Sequence, residues 1–313
     1  TVRASAADID GLTSNKLTVV DNTADAASAN ITTAVELNTA AGDVDLTAAA
    51  VDVVKINIDN NAKAATVASG ATVQFMVSQT ATTIDGPDAG AASNSVTVNF
   101  NDEAVAENTP ENIGTSLTFT DFKTATINVD QDSTTTAGAT YNDTSITGLT
   151  ASADNTNVTI NAGANGVTLA GTHSTGTGAL TINSSAAIAL GTSDVTASAV
   201  ATTGTGAVTW TTADSSQTGT VTTGSGNDAV TFDTLTDSLT LNTGAGNDTI
   251  TLSNDTAASK TYSINGGDGV DTVVIGANTK DFNNGTSFTM TGVETLNFAN
   301  GVTAATVGAA LLN

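Results

Sequence analysis

The most regular feature of the chain is the alternation of apolar and polar residues within short segments. Clear examples are residues 16–20, 53–58, 95–100, 116–120 and 125–129. A period of two is that of a β-strand with one buried face. Helical spacing is scarce, and residues 24–40 are the only stretch predicted to form a helix. The pattern therefore predicts an all-β fold of many short strands.

A tighter repeat begins near residue 146. Segments of the form x-U-T-U, where U is apolar, occur at residues 157–160, 166–169, 179–182, 207–210, 229–232 and 249–252. Stacked strands of this kind predict a parallel β-solenoid over residues 146–300, with apolar ladders inside. Its outer surface is expected to carry one row formed by Thr181, Thr209, Thr231 and Thr251. Residues 1–145 lack a clean period and are predicted to be a separate all-β domain, either an irregular solenoid or a β-sandwich.

Three turns near the C-terminus share one pattern, at residues 223–231, 243–251 and 266–274. The third fits the nonapeptide G-G-x-G-x-D-x-U-x at every fixed position, and the other two lack only the first glycine. The aligned glycines Gly224, Gly244 and Gly267 lie 20 and 23 residues apart. Such a spacing is about one coil of a β-solenoid, so the turns are expected to stack.

These turns have the composition of a calcium site. Calcium prefers oxygen ligands from carboxylates and backbone carbonyls, and glycine permits the positive φ that directs carbonyls towards one point. The predicted Ca²⁺ site comprises Gly224, Gly226, Asp228, Gly244, Gly246, Asp248, Gly267, Asp268, Gly269 and Asp271. The alternative is that Gly-x-Gly-Asn-Asp is merely a favourable tight turn. Three copies at coil spacing favour calcium, whereas the earlier turns at residues 176–178 and 204–206 lack the carboxylate and are expected not to bind it.

Charge narrows the range of partners. The chain of 313 residues has 7 Lys and Arg against 31 Asp and Glu, a formal net charge of −24. Nucleic acid is excluded because phosphate binding needs clustered basic residues. Membrane insertion is not expected, because no run of 18 apolar residues occurs. Self-repulsion opposes compaction, and bound divalent cations would relieve it. The absence of cysteine excludes disulfides, thiolate metal sites and a cysteine nucleophile.

Residues 220–300 resemble the RTX (repeats-in-toxin) family of calcium-binding secreted proteins. The segment 288–298, which contains Gly-Val-Glu-Thr-Leu-Asn-Phe, is similar to a strand that follows RTX turns in Gram-negative surface-layer (S-layer) proteins. The resemblance implies type I secretion, an extracellular or cell-surface location, and an uncleaved C-terminal export signal, for which residues 301–313 are the candidate. The chain begins at Thr1 without Met, which predicts a removed leader or this alternative export signal. Single turns about 20 residues apart, unlike the unbroken arrays of RTX toxins, predict a larger coil with calcium along one edge.

Catalytic groups are sparse. His173 is the only histidine, no H-E-x-x-H sequence exists, and the adjacent Ser174 would point to the opposite face of a strand. His173 is therefore expected on the surface or in a turn, and Trp210, the only tryptophan, in the core. The chain is not expected to be an enzyme.

The leading hypothesis is a structural one. The chain is expected to fold on binding calcium and to assemble with copies of itself into a bacterial surface layer or filament, with cell-surface polysaccharide as a further candidate partner. The alternative is a secreted calcium-dependent adhesin or ligand-binding module. An ice-binding solenoid, which would use flat threonine rows, is a third and weaker alternative because strict T-x-T repetition is absent.

Overall fold

The computed structural model describes sixteen segments of the chain. They are residues 2–4, 17–20, 34–38, 44–45, 53–57, 63–75, 78–87, 93–100, 112–129, 144–151, 155–164, 166–192, 195–212, 219–253, 260–276 and 287–299. Every regular element in these segments is a β-strand. None of the described residues forms a helix long and apolar enough to cross a membrane.

Numbered along the chain, 29 strands form two sheets. The first sheet has 14 strands: β1 (Val2–Ala4), β2 (Leu17–Val20), β3 (Ala34–Asn38), β5 (Val53–Asn57), β7 (Ala71–Phe75), β9 (Ser95–Phe100), β11 (Thr124–Asn128), β14 (Asn157–Gly163), β17 (Ala179–Ser184), β20 (Ala199–Thr203), β22 (Gly219–Thr222), β24 (Leu239–Asn242), β26 (Thr261–Asn265) and β28 (Ser287–Thr291).

The second sheet has 15 strands. They are β4 (Val44–Asp45), β6 (Lys63–Thr66), β8 (Gln79–Asp85), β10 (Ile113–Thr120), β12 (Thr144–Ile146), β13 (Leu149–Thr150), β15 (Val167–Leu169), β16 (His173–Ser174), β18 (Ile188–Thr192), β19 (Val195–Thr196), β21 (Val208–Thr211), β23 (Ala229–Phe232), β25 (Thr249–Leu252), β27 (Thr272–Ile275) and β29 (Thr295–Phe298).

The chain passes back and forth between the two sheets. Each strand pairs in parallel with strands one coil earlier and one coil later, as β14 does with β11 and β17. The result is a β-solenoid of about eight turns between residues 64 and 298. The predicted all-β solenoid is confirmed, and the choice left open for the first part of the chain is resolved towards a solenoid from residue 64 onwards. Both sheets continue across residues 145 and 146, since β11 pairs with β14 and β10 pairs with β12.

Coil length varies along the chain and is greatest in the middle: equivalent residues are 18 or 19 apart from β2 to β7 and 25 apart between β7 and β9. Equivalent asparagines are 29 residues apart between β9 and β11, 33 between β11 and β14, and 22 between β14 and β17. From β20 onwards, equivalent residues are 20 to 23 apart as far as β27. The coils between β9 and β14 therefore contain longer connections between the same two sheets, and this unequal coil length explains why residues 1–145 show no clean period.

Alternate residues of each strand point into a single core. The pattern of burial in β9 and β17 is strictly alternating, and the buried side chains are mostly Val, Ile, Leu and Phe. Aromatic rings stack between successive coils, with Trp210 and Phe232 in edge-on contact at 6.2 Å between centroids. Trp210 is 1% exposed, so its predicted core position is confirmed. Burying such a side chain stabilises the fold by about 1.5–3 kcal/mol or more.

Two expectations are wrong. The helix predicted over residues 24–40 is contradicted at Ala34–Asn38, which form β3 between β2 and β5; pairing on both edges outweighs local helical spacing. The remaining residues of that stretch lie outside the described segments. The predicted row of four threonines is also split, because Thr181 lies on β17 of the first sheet and Thr209 aligns with Ala229. Only Thr231 and Thr251 are neighbours.

Candidate metal centre

Four carboxylates occupy equivalent places at the entrances of successive strands of the second sheet. They immediately precede β23, β25, β27 and β29, and parallel pairing of these strands stacks them into one row. We call this row the carboxylate column: Asp228, Asp248, Asp271 and Glu294. Adjacent coils in a parallel sheet are about 4.8 Å apart, so the charges are close neighbours.

Each carboxylate accepts a hydrogen bond from the backbone of the preceding coil. The amide of Asp228 donates to Asp248 Oδ1 at 2.8 Å, and the amide of Asp248 donates to Asp271 Oδ1 at 2.9 Å. At the two ends, the amide of Val208 donates to Asp228 Oδ1 at 2.7 Å and that of Asp271 donates to Glu294 Oε2 at 2.8 Å. Oδ1 of each aspartate thus provides the hydrogen-bond acceptor for a backbone amide of the preceding coil.

The second oxygen of each aspartate has no hydrogen-bond donor. Oδ2 of Asp228, Asp248 and Asp271 is buried without a partner, and these residues are at most 2% exposed. The hydroxyls of Thr223 and Thr243 lie close enough to Asp228 and Asp248 to oppose the rise in the pKa of each carboxyl. Each hydroxyl has a single proton, however, which Thr223 donates to the carbonyl of Thr243 and Thr243 to that of Gly266, both at 2.8 Å. A buried, unpaired carboxylate oxygen is costly. Each of these atoms therefore needs a hydrogen-bond donor, a proton or a cation.

Burial raises the pKa values of the first two aspartates. Desolvation raises the pKa of Asp228 to about 6; the Thr223 hydroxyl dipole and the Val208 amide oppose the shift, and the charge of Asp248 adds to it. The pKa of Asp248 is raised chiefly by burial, with a further contribution from the charge of Asp271. Two unit charges about 4.8 Å apart repel by roughly 3 kcal/mol at an effective dielectric constant near 20. The column is therefore poorly suited to being fully ionised without a counter-charge.

The asparagine beside each of the first two aspartates makes the opposite connection. Asn227 Oδ1 accepts from the amide of Asn247 at 2.7 Å, and Asn247 Oδ1 accepts from the amide of Val270 at 2.9 Å. Asparagine thus binds the following coil and aspartate the preceding one. This explains the Asn-Asp pair as a device that aligns three successive turns, whether or not an ion is bound.

The predicted glycines are required by the close approach of successive turns. A Cβ atom on Gly224, Gly226, Gly244, Gly246, Gly267 or Gly269 would overlap the backbone of the preceding coil. Gly244, Gly246, Gly267 and Gly269 also have positive φ values of 93°, 127°, 98° and 139°, which other residues rarely adopt.

The carbonyls of the first glycines already take part in hydrogen bonds. The oxygen of Gly224 accepts from the amide of Ala245 at 3.2 Å, and that of Gly244 accepts from the amide of Asp268 at 2.9 Å. A carbonyl oxygen has two lone pairs, so each retains one free position. The turns are therefore held together by their own backbone, and calcium is not needed to explain the glycines.

Asp268 stands apart from the carboxylate column. Its backbone forms a parallel bridge with Ala245 at the turn, and its side chain is exposed. Asp271 is fully buried, and a Cβ on Gly266 would lie against its Oδ2. The glycine that makes the third turn a complete nonapeptide therefore gives room to this carboxylate.

The residues present fit a cation, with a limited donor set. The unpartnered oxygens belong to the chemical class that calcium prefers. In the described part of the chain, no three acidic, histidine or cysteine side chains gather into a group able to hold a metal ion. A cation here would be held between the carboxylates of two neighbouring coils, Asp228 with Asp248 or Asp248 with Asp271, supplemented by backbone or hydroxyl oxygens. This arrangement differs from a compact cage.

Three members of this region were missed by the motif. Glu294 closes the column although its sequence, Gly-Val-Glu, carries no nonapeptide. Thr223 and Thr243 are 4% and 0% exposed beside the aspartates of their own turns. The threonines could have been found from the sequence, because each lies five residues before the aspartate of its turn. Glu294 could have been found only by aligning the sequences of successive coils.

His173 lies in the core, so its expected surface or turn position is wrong. It is 1% exposed on β16, and neither ring nitrogen has a hydrogen-bond partner. Its backbone pairs with Leu149 and Val195 on the adjoining coils. Burial lowers its pKa to about 4, so the imidazole is neutral near pH 7.

Comparison with protein-family models, with curated proteins and with solved structures gives no match for this chain.

Proposed function

We propose that this chain is a secreted structural protein whose C-terminal coils are completed by calcium and which assembles with copies of itself at a cell surface. The observation that carries the proposal is the row of buried Oδ2 atoms on Asp228, Asp248 and Asp271, none of which has a hydrogen-bond donor. Repetition of one unsatisfied oxygen at the same place in three coils favours a shared ligand over a local defect.

Calcium suits this row better than a proton at neutral pH. The pKa of Asp228 is raised to about 6, so protons leave near pH 7 and the carboxylates repel each other. Calcium binds carboxylate oxygens at that pH, and modules outside cells bind it with dissociation constants of about 10⁻⁴–10⁻³ M. Millimolar calcium outside a cell would complete the coils, and calcium-poor cytosol would leave them incomplete. The proposal therefore couples folding to export.

The solenoid also supports a building-block role. Its described coils repeat one architecture, and its two sheets end at β28 and β29 with strand edges that have no described partner on their far side. Exposed strand edges and repeated flat faces are the surfaces through which chains associate. Calcium would further reduce the repulsion due to a net charge of −24.

The test compares the wild type with D228N/D248N/D271N, in which each aspartate keeps its shape and loses its charge. Thermal unfolding is measured by circular dichroism in EGTA and in 5 mM calcium, and assembly by sedimentation and negative-stain microscopy. We expect calcium to raise the wild-type Tm and to promote assembly, and to leave the Tm of the variant unchanged. An equal calcium response in both proteins would remove the column from the mechanism. A compact monomer in calcium would favour the adhesin alternative.

A further inference from the structure

The outer face of the first sheet is free of charge over the whole described solenoid. From β7 to β28, no strand of this sheet contains Asp, Glu, Lys or Arg. The chain as a whole carries a net charge of −24. The second-sheet strands from β10 to β29 also lack these residues. The charge of the described coils therefore lies mainly in the turns and connections, and a second negatively charged copy can approach the first-sheet face without strong repulsion.

The face is also regular. Thr97, Thr126, Thr159 and Thr181 pair in register on β9, β11, β14 and β17 and form one outward row. They are half-buried by their neighbours. Each strand of this sheet forms one uninterrupted element per coil, so the outward side chains make a continuous flat surface.

A row of asparagine amides beside the threonines holds the surface rigid. Asn128 Nδ2 donates to Asn99 Oδ1 at 2.8 Å, Asn161 to Asn128 at 2.9 Å, and Asn183 to Asn161 at 2.7 Å. The hydroxyl of Thr203 donates to Asn183 and continues the row. Side chains already fixed in one rotamer lose little entropy on association. We call the outer face of the first sheet from β7 to β28, in which these two rows lie, the Thr/Asn face.

The second sheet is less suited to such contact. It divides into two short strands per coil at β12/β13, β15/β16 and β18/β19, and its register shifts between Ile113 and Ser116 and again between Ala189 and Gly191. It also carries Asp85 on β8. From β10 onwards the two faces are alike in lacking charged strand residues. They differ in continuity, because the first sheet has one strand per coil and, in its described strands, a single register shift, between Asn161 and Gly163.

The available area matches a stable interface. Strands about 4.8 Å apart, from β7 to β28, give a face about 45 Å long, and two or three outward residues per strand give a width of roughly 15–20 Å. Two copies would then bury a total of roughly 1,400–1,800 Å², near the typical value of about 1,600 Å² for a specific interface. A flat face without charge is self-complementary, which suits a two-fold pair.

We infer that copies of this chain pair side by side through the Thr/Asn face. This inference deepens the proposed function by naming the surface that associates, and it rests on the self-assembly part of that proposal. The partner is a second copy, because the surface excludes the charge that this chain carries elsewhere and has the area that a two-fold pair requires. Calcium acts at the opposite sheet and is not part of this contact.

The test places one negative charge in the threonine row of the face. T159E is compared with T231E, which puts the same residue on an outward position of β23 in the second sheet. The full-length wild type and both variants are studied in 5 mM calcium by sedimentation velocity over a concentration series, with circular dichroism to verify that each is folded. We expect T159E to raise the dissociation constant of the pair at least about 100-fold, and T231E to leave it unchanged.

Three outcomes would overturn the inference. Association of T159E at the wild-type concentration, or equal weakening in T231E, would mean that another surface pairs, while calcium-dependent assembly of the wild type would leave the proposed function standing. A folded wild type that stays monomeric at every concentration would overturn both the inference and the self-assembly proposal. Binding of that monomer to ice or to an insoluble polysaccharide, lost in T159E alone, would assign the Thr/Asn face to a different occupant.

Discussion

The early and late coils are connected to their neighbours by different polar side chains. Between β9 and β17, neutral asparagines stack and hydrogen-bond to one another through their side chains. Between β21 and β29, carboxylates stack and accept from backbone amides. An amide side chain has both donors and acceptors, whereas an ionised carboxylate only accepts. The amide row is therefore complete by itself, and the carboxylate column leaves oxygens and charge unsatisfied.

We expect this difference to make the late coils of the solenoid sensitive to calcium and pH. Repeat proteins gain stability from each coil and from each contact between neighbouring coils. A contact that requires a cation or a proton responds to calcium and pH, while the amide contact responds to neither. We therefore expect graded stability along the chain, with the late coils as the responsive part.

Removal of calcium should give the largest contrast between the two regions. Calcium at 5 mM is about 5 to 50 times a dissociation constant of about 10⁻³–10⁻⁴ M and stabilises by about 1–2.3 kcal/mol for each ion bound. EGTA at pH 7.5 should therefore reduce protection of the late coils by about 6- to 50-fold per ion. Native-state hydrogen exchange measures this at the amides of Thr249 and Thr272, which bond to Asp228 and Asp248 carbonyls, with Val129, bonded to Asn161, as the early reference. Equal changes at all three amides would contradict a difference between the regions.

In EGTA, a change of pH should alter the stability of the late coils and that of the early coils in opposite directions. The pKa of Asp228 is raised from 3.8 to about 6, so the folded late coils bind protons more readily, and their stability falls as pH rises through that range. The pKa of His173 is lowered from 6.5 to about 4, so the early coils lose stability as pH falls through that range. Each effect is of the order of 2 kcal/mol.

Hydrogen exchange at pH 5 and pH 7, corrected for intrinsic rates, resolves the two regions. D228N should remove the pH dependence of Thr249 and leave that of Ala151, whose amide bonds to the Ser174 carbonyl next to His173. A stability that changes in the same direction in both regions would contradict the assignment.

Replacing one asparagine of the amide row by aspartate, or one aspartate of the column by asparagine, should change the free energy of unfolding by a smaller amount. N161D removes the donor to Asn128 and adds a charge to the amide row, and we expect a loss of about 1–3 kcal/mol with or without calcium. D248N removes a charge from the column and should stabilise the protein in EGTA while reducing its response to calcium. Urea unfolding followed by Trp210 fluorescence measures both. A stabilising N161D would show that the amide row is not a structural contact.

The smallest expected effect is at the end of the column. Glu294 accepts from the amide of Asp271 through Oε2 and is exposed, so E294A should cost about 1 kcal/mol and increase exchange at Asp271. E294Q keeps an oxygen acceptor and is the matched control. If both variants exchange at the wild-type rate, the bond to Glu294 contributes nothing measurable to the last turn.

Much of the strand content was predictable because alternation is a local signal. The segments predicted at residues 16–20, 53–58, 95–100, 116–120 and 125–129 correspond to β2, β5, β9, β10 and β11. The turn repeat also predicted that Asp228, Asp248 and Asp271 share one edge, since parallel coils of constant length bring equivalent residues together. The predicted calcium, secretion and RTX resemblance stay proposals.

Other features depend on which residues of distant coils become neighbours. The threonine row was assigned wrongly because x-U-T-U occurs on both sheets, so sequence spacing alone does not identify the sheet. The amide row was missed because its members are 22 to 33 residues apart. His173 was predicted to lie on the surface or in a turn because histidine is polar. Nothing in the neighbouring sequence indicated that the adjoining coils would bury it.

The sequence by itself determined the strand period, the turn residues and the positions that carry negative charge, because these depend on residues within a few positions of one another. The tertiary structure decided which oxygen of each aspartate is satisfied, which stays unpaired, and which threonines and asparagines share one outward face. Those properties depend on hydrogen bonds and register between coils 20 or more residues apart, and only the stacked backbone specifies them.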